Sequence, residues 1–164
     1  RENSFTYKVA NIYFTCLNNL NVKSQIFDFR DLPDDFLFSS SYGGKNKKFD
    51  LLVNKYLIGI DKYIFICPEY NGSIPGVLKS FIDCCDYKLY KSKKIGLVGI
   101  SDGHAGNLRG LDHLTSIFHH LNSEIHSSKP KLSHISKVFN KKRELINEKY
   151  LQLINDHINS FSNF

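Results

Sequence analysis

Two short apolar runs constrain this chain more than any other feature. Tyr63-Ile64-Phe65-Ile66-Cys67 and Lys94 to Ile100 each have the length of a buried strand. Each breaks off into a stretch rich in Pro, Gly, Asn and Ser, and then into a segment with helical spacing. An apolar run without polar alternation suits a strand covered on both faces. Parallel strands need a crossover between them, usually a helix. Strand, turn and helix in alternation therefore predict an α/β fold, a doubly wound parallel sheet with helices on both faces.

The other elements follow from periodicity. Ser4 to Leu20 reads as a helix, with Val9, Ile12, Tyr13, Cys16, Leu17 and Leu20 at helical spacing and Ser4 as its cap. Val22 to Phe29 reads as a strand, and Ser39 to Lys48 as a polar, Gly-containing loop. Helices are expected over Phe49 to Ile60, Pro75 to Asp86 and Asn107 to Asn122, with a weak edge strand at Glu124 to His126. Lys141 to Phe161 carries an apolar stripe through Leu145, Ile146, Tyr150, Leu153, Ile154, Ile158 and Phe161. Nothing reads as a repeat or a linker, so residues 1–164 are expected to form a single domain.

Composition excludes several classes. Hydrophobic content of 41% and charged content of 23% are those of an ordinary globular chain. The apolar runs are far too short to cross a bilayer, and the N-terminal residues have no secretory pattern. The chain opens at Arg1 and holds no Met, so residues are expected to precede it. Cys16, Cys67, Cys84 and Cys85 make neither a C-x-x-C pair nor a metal spacing. They read as reduced, largely packed thiols in a cytoplasmic protein. The net charge of +6 suits anionic ligands. Its lysines are scattered without a recognition motif, so nucleic acid is not the expected partner.

Three segments then fall at the carboxyl edge of the expected sheet, where open α/β sheets bind ligands. Arg1-Glu2-Asn3-Ser4-Phe5-Thr6 precedes a helix, whose free N–H groups attract anions. Pro68 to Gly76 offers an aromatic face at Tyr70 and a tight Asn71-Gly72 turn with exposed N–H groups, between stiffening prolines. Ser101-Asp102-Gly103-His104-Ala105-Gly106 follows the second apolar run as a small Gly-rich loop. Other chemistries fail on spacing. There is no G-x-x-x-x-G-K-[ST], no Rossmann glycine triplet, no G-x-S-x-G elbow and no recognised metal set.

The stretch Pro68-Glu69-Tyr70-Asn71-Gly72-Ser73-Ile74-Pro75-Gly76 resembles the loop of the NADPH-dependent FMN reductases, a flavodoxin-like group that includes quinone, azo-dye and chromate reductases. The family pattern P-E-Y-N-G-S-x-P-G-x-L-K-N-x-I-D-W is met through Leu78-Lys79 and Ile82-Asp83, with Ser80 in place of Asn and Cys84 in place of Trp. Arg1, Ser4 and Thr6 fit the tail of the family's phosphate loop. Ser101, Gly103, Gly106 and Arg109 fit its S-x-G-x-x-G loop followed by Arg.

The resemblance implies a five-stranded sheet in the order 2-1-3-4-5, the first strand being expected just before Arg1. It implies FMN as cofactor and NADPH or NADH as electron donor. Arg1, Ser4 and Thr6 would hold the phosphate. Pro68, Glu69, Tyr70, Asn71, Gly72 and Ser73 would hold the isoalloxazine, and Ser101 and Gly103 would line the ring or ribityl chain. No acid–base side chain and no metal is expected. The implied acceptor is a small molecule: a quinone, azo compound, metal oxyanion or flavin. The implied assembly is a homodimer or homotetramer. A flavin-binding electron carrier or redox sensor, without efficient NAD(P)H turnover, is the alternative.

Overall fold

The two apolar runs form neighbouring parallel strands, β1 (Lys62–Pro68) and β2 (Lys94–Ile100), in a register that pairs Cys67 with Gly99 and Pro68 with Ile100. The structure is a computed structural model and describes residues 4–140, 142 and 144–164. Two short strands, β3 (Glu124–Ile125) and β4 (Lys131–Leu132), lie parallel on the other edge of β2. They act as halves of one interrupted edge strand, β3 beside Lys94 and Ile95 and β4 beside Gly99 and Ile100. Pro130 stands in the break, where it lacks an N–H for the ladder but its carbonyl accepts from Gly99 N at 2.8 Å.

The helices are α1 (Phe5–Asn19), α2 (Phe36–Ser40), α3 (Lys47–Tyr56), α4 (Gly76–Cys84), α5 (Leu108–His120) and α6 (Glu148–Ser162). Side chains alternate across the strands. Cys67, Ile95 and Leu97 pack on one face with Leu78, Phe81 and Ile82 of α4 and Leu111, Leu114 and Phe118 of α5. Val98 and Ile100 pack on the other with Val9 and Tyr13 of α1 and Ile154 and Ile158 of α6. Helices on both faces of a parallel sheet are the architecture expected from the sequence.

Three expectations are corrected. Val22 to Phe29 forms no strand. Residues 22–28 have no regular structure, and Phe27 and Phe29 are anchored by ring contacts to each other and to Phe81, while Phe27 also stacks on Tyr56. Among the described residues the sheet has four strands, in the order β1-β2-β3 with β4 also on β2. The supposed loop over Ser39 to Lys48 is largely helical, comprising the end of α2, a 3-10 turn at Ser41–Gly43 and the start of α3. Asn46 caps α3, accepting from Lys48 N at 3.0 Å and Phe49 N at 3.2 Å, and donates to Ser39 Oγ at 2.7 Å. The last helix begins at Glu148, past Leu145 and Ile146, because Asn147 caps it by accepting from Tyr150 N; Lys141, where it was expected to start, lies outside the described residues.

The direction of α1 matters for the site. Tyr13, in its middle, bonds His157 near the end of α6, while the ring of Phe5 at its start lies 5.3 Å from that of Phe139. His157 lies against Gly96, and the carbonyls of Phe161 and Ser162 accept from Lys62 at the start of β1. Tyr150, near the start of α6, instead bonds Ser133, just past the end of β4. Both helices thus run against the strands, and the N-terminus of α1 lies at the carboxyl edge of the sheet.

His157 is fully buried, shares a 2.9 Å hydrogen bond with Tyr13 through Nδ1 and has no described partner at Nε2. Burial, and then the nearby His126, push its pKa down to about 4 from 6.5. Unfolded, the imidazole protonates near the ordinary value; folded, it resists until about pH 4. Between those values the unfolded chain binds the extra proton, so stability falls as pH falls, by up to about 1.4 kcal/mol per pH unit. Denaturant unfolding at neutral and mildly acidic pH should show this slope. His157→Phe should flatten it, and an unchanged slope would contradict the assignment.

Candidate functional site

Three segments meet the carboxyl edge of β1 and β2. The first is the turn that continues β1. Asn71 (φ 50°) and Gly72 (φ 75°) both adopt left-handed backbone, and Tyr70 and Ser73 exchange two hydrogen bonds of 3.0 Å each. This is the two-residue hairpin for which Asn-Gly is the preferred sequence. Its geometry occupies the N–H groups of Tyr70 and Ser73. Among the described residues nothing accepts from the N–H of Asn71 or Gly72. Glu69 N donates to Ile100 O at 2.8 Å, which carries the sheet's hydrogen bonding one step past the end of β1. Glu69, Tyr70 and Asn71 are exposed, and Pro68, Gly72 and Ser73 are half-buried.

The second segment is the loop after β2. Ser101 is buried, its hydroxyl donating to Gly103 O at 2.9 Å and accepting from Gly106 N at 3.0 Å. Its side chain is committed to shaping the loop, whereas Gly103 lies exposed. Asp102 Oδ1 accepts from Ser136 Oγ at 2.5 Å and Ser136 N at 3.2 Å. Those bonds hold its carboxyl below the usual range and fasten the loop to the segment after β4. Gly106 (φ 56°) lies against Lys131, leaving no room for a Cβ.

The third segment is the start of α1. Ser4 caps the helix, its Oγ accepting from Tyr7 N at 3.3 Å. Thr6 stands in the first turn, where N–H groups lack intrahelical acceptors. Arg1 lies outside the described residues. Arg30 brings a cation to this helix end, over the ring of Tyr7 at 5.1 Å.

The structure therefore gathers Pro68 to Ser73, Ser101 and Gly103 on adjacent strand ends, and sets Ser4 and Thr6 at the same edge of the sheet. It adds three residues of α5 and its cap that were not assigned from the sequence. Asn107 Nδ2 donates to Cys67 O at 3.0 Å, His113 Nδ1 meets Ser73 Oγ at 2.7 Å, and the Arg109 guanidinium lies beside Gly72. Only Arg109 had a sequence signal, its place after the Gly-rich loop. A cleft of about 470 Å³ opens beside the turn, lined by Ser73, Ile74, Lys79, His113, Ser116 and Ile117.

Such an arrangement, backbone donors and a helix N-terminus at the carboxyl edge of a doubly wound sheet, is that of a flavodoxin-like fold and has the chemistry to receive an anionic group. The chain belongs to the NADPH-dependent FMN reductase family, whose model matches residues 1–130. It is 26% identical over 121 residues to a 2-hydroxy-1,4-benzoquinone reductase of a Burkholderia species, covering 71% of this chain and 64% of that protein. It is 26% identical over 107 residues to an FMN-dependent NADPH-azoreductase of Staphylococcus aureus, covering 62% of this chain and 55% of that one. The chain thus spans less than two thirds of these curated relatives. Among solved structures, the flavoenzyme NAD(P)H:(acceptor) oxidoreductase FerB of Paracoccus denitrificans superposes with a TM-score of 0.78 at 19% identity, covering 99% of this chain and 90% of its own. The apo form of the NADH:FMN oxidoreductase EMOB superposes at 0.71 with 18% identity, covering 98% and 84%. At these identities the structural likeness speaks for the fold alone.

Proposed function

We propose that the chain is an FMN-binding oxidoreductase domain that takes electrons from NADPH or NADH and passes them to a small-molecule acceptor. The observation that carries this reading is the Tyr70–Ser73 hairpin. It presents an exposed aromatic ring next to two backbone N–H groups without described acceptors, in a loop of the family's own sequence. A planar heterocycle with carbonyl and ring-nitrogen acceptors fits that surface. FMN bound there supplies hydride acceptance and onward electron transfer.

The chain's residues divide the remaining work. Tyr70 covers the ring, and Pro68, Glu69 and Ser73 fix the turn that carries it. Asn71 and Gly72 N–H stabilise negative charge on the ring's polar edge, an electrostatic role that needs no side-chain acid or base. Ser4, Thr6 and the start of α1, with Arg1 beyond the described residues, hold the phosphate. Gly103 lines the ribityl side with bare backbone, and Ser101 keeps that loop in shape. The named relatives point to quinone or azo compounds as acceptor classes. Exposed Val77 of α4 and Leu108 of α5 offer apolar surface for a second copy, in keeping with a homodimer or homotetramer. The free cysteines favour a reducing, cytoplasmic setting.

Titration of free FMN, followed by quenching of its fluorescence, tests the assignment. Ser4→Ala with Thr6→Ala should raise the FMN Kd by about 100-fold or more, since hydrogen bonds to a charged group contribute about 1.5–3 kcal/mol each. Loss of the cap should cost about 1 kcal/mol of fold stability. An unchanged Kd would remove both residues from the phosphate site.

A further inference from the structure

We infer that Asn107 is a positioning residue for the Glu69–Ser73 turn, holding it in register with the loop after β2; the inference rests on that turn being the flavin site. Asn107 is almost wholly buried at the start of α5. Its Nδ2 donates across to Cys67 O, two residues before the turn begins. On the other side Glu69 N is held by Ile100 O. Pro68 lies between these two ties, so the strand end that launches the turn is fixed from both α5 and β2.

Asn107 also follows directly on Gly106, whose N–H is held by Ser101 Oγ. One side chain thus links the end of the second loop to the base of the first.

Two further features separate this role from helix capping. The backbone of Asn107 is left-handed (φ 62°), and its side chain makes no capping bond to α5. Glycine would satisfy that conformation with less strain, so what Asn adds is its amide. Its Oδ1 is buried without a described partner, and Gly110 supplies the space, since a Cβ there would lie 2.2 Å from Oδ1. An amide kept in spite of an unsatisfied oxygen and a glycine inside a helix breaks two local rules at one place. Such breaks concentrate at functional sites.

Asn107→Gly keeps the left-handed backbone and deletes the amide. The first readout is hydrogen exchange in the flavin-free protein. The amides of Glu69 and Ser73 should exchange about tenfold faster in Asn107→Gly, relative to amides in the middle of α6. Leu114→Ala, a core change on the same helix, provides the control. It should lower Tm without altering that ratio. FMN titration should then show Kd raised about five- to tenfold in Asn107→Gly, the size of one lost hydrogen bond, and little changed in Leu114→Ala. If Asn107→Gly fails to fold, Asn107→Asp replaces it, because Asp tolerates the same backbone and, when ionised, cannot donate to Cys67 O. Equal exchange ratios in the Asn107 and Leu114 variants would overturn the inference and reduce Asn107 to a packing residue. Failure of the unmodified protein to bind FMN would sink the proposed cofactor, while the exchange ratio would still decide whether Asn107 positions the turn.

Discussion

Gly72→Val should raise the FMN Kd by about 100-fold while leaving most of the fold stability in place. Gly72 sits at φ 75°, and a β-branched residue there is strained whatever space surrounds it. The hairpin needs left-handed backbone at both Asn71 and Gly72, so the substitution breaks the turn rather than decorating it. Both free N–H groups then leave the ligand edge, and Tyr70 loses its placement. Two hydrogen bonds to a charge-bearing ring edge, at about 1.5 kcal/mol each or somewhat more, account for the expected loss. The turn is largely exposed, so Tm should move by only a few degrees. An FMN Kd within a factor of three of the unmodified value would mean that the turn does not hold the cofactor.

Gly99→Ala carries the largest expected effect on stability. A Cβ at this position would meet Gly106 O at 2.1 Å and Leu111 Cδ1 at 3.0 Å. The first contact is backbone, in a loop already pinned by Ser101 and by Lys131, so it cannot yield cheaply. The cost should reach about 3 kcal/mol, the upper end for overpacking a core. For a chain of this size that lowers Tm by roughly 6–12 °C. Gly76→Ala is the matching control, since nothing lies within 4 Å of a Cβ there and the residue opens α4. It should be neutral or slightly stabilising. Equal melting temperatures for the two variants would show that the loop after β2 does not press on the strand as described.

Much of this was legible in the chain because local chemistry and global fold agree. The apolar runs became β1 and β2; β2 is buried from Ile95 to Ile100 between two layers of helices, whereas β1, at the edge of the described sheet, is fully buried only at Cys67. The Asn71-Gly72 pair dictated its own turn. What escaped was set by contacts distant in sequence. Val22 to Phe29 has the composition of a strand, yet its aromatic rings are claimed by Phe81 and Tyr56. The helical start at Lys47 depends on Asn46, a cap hidden within a polar run. His113 reads as one histidine among several and gains meaning only when α5 brings it to Ser73 across 40 residues. Asn107 resembles an ordinary turn residue until its amide is seen to reach Cys67.

The most direct test of the central claim is the visible spectrum of the purified protein with bound FMN, recorded before and after anaerobic addition of NADPH. The account predicts a flavin spectrum that bleaches at a catalytic rate and returns when a quinone is added. A flavin spectrum that persists under NADPH or NADH would contradict the reductase reading, and a protein that takes up no FMN at all would contradict the site itself.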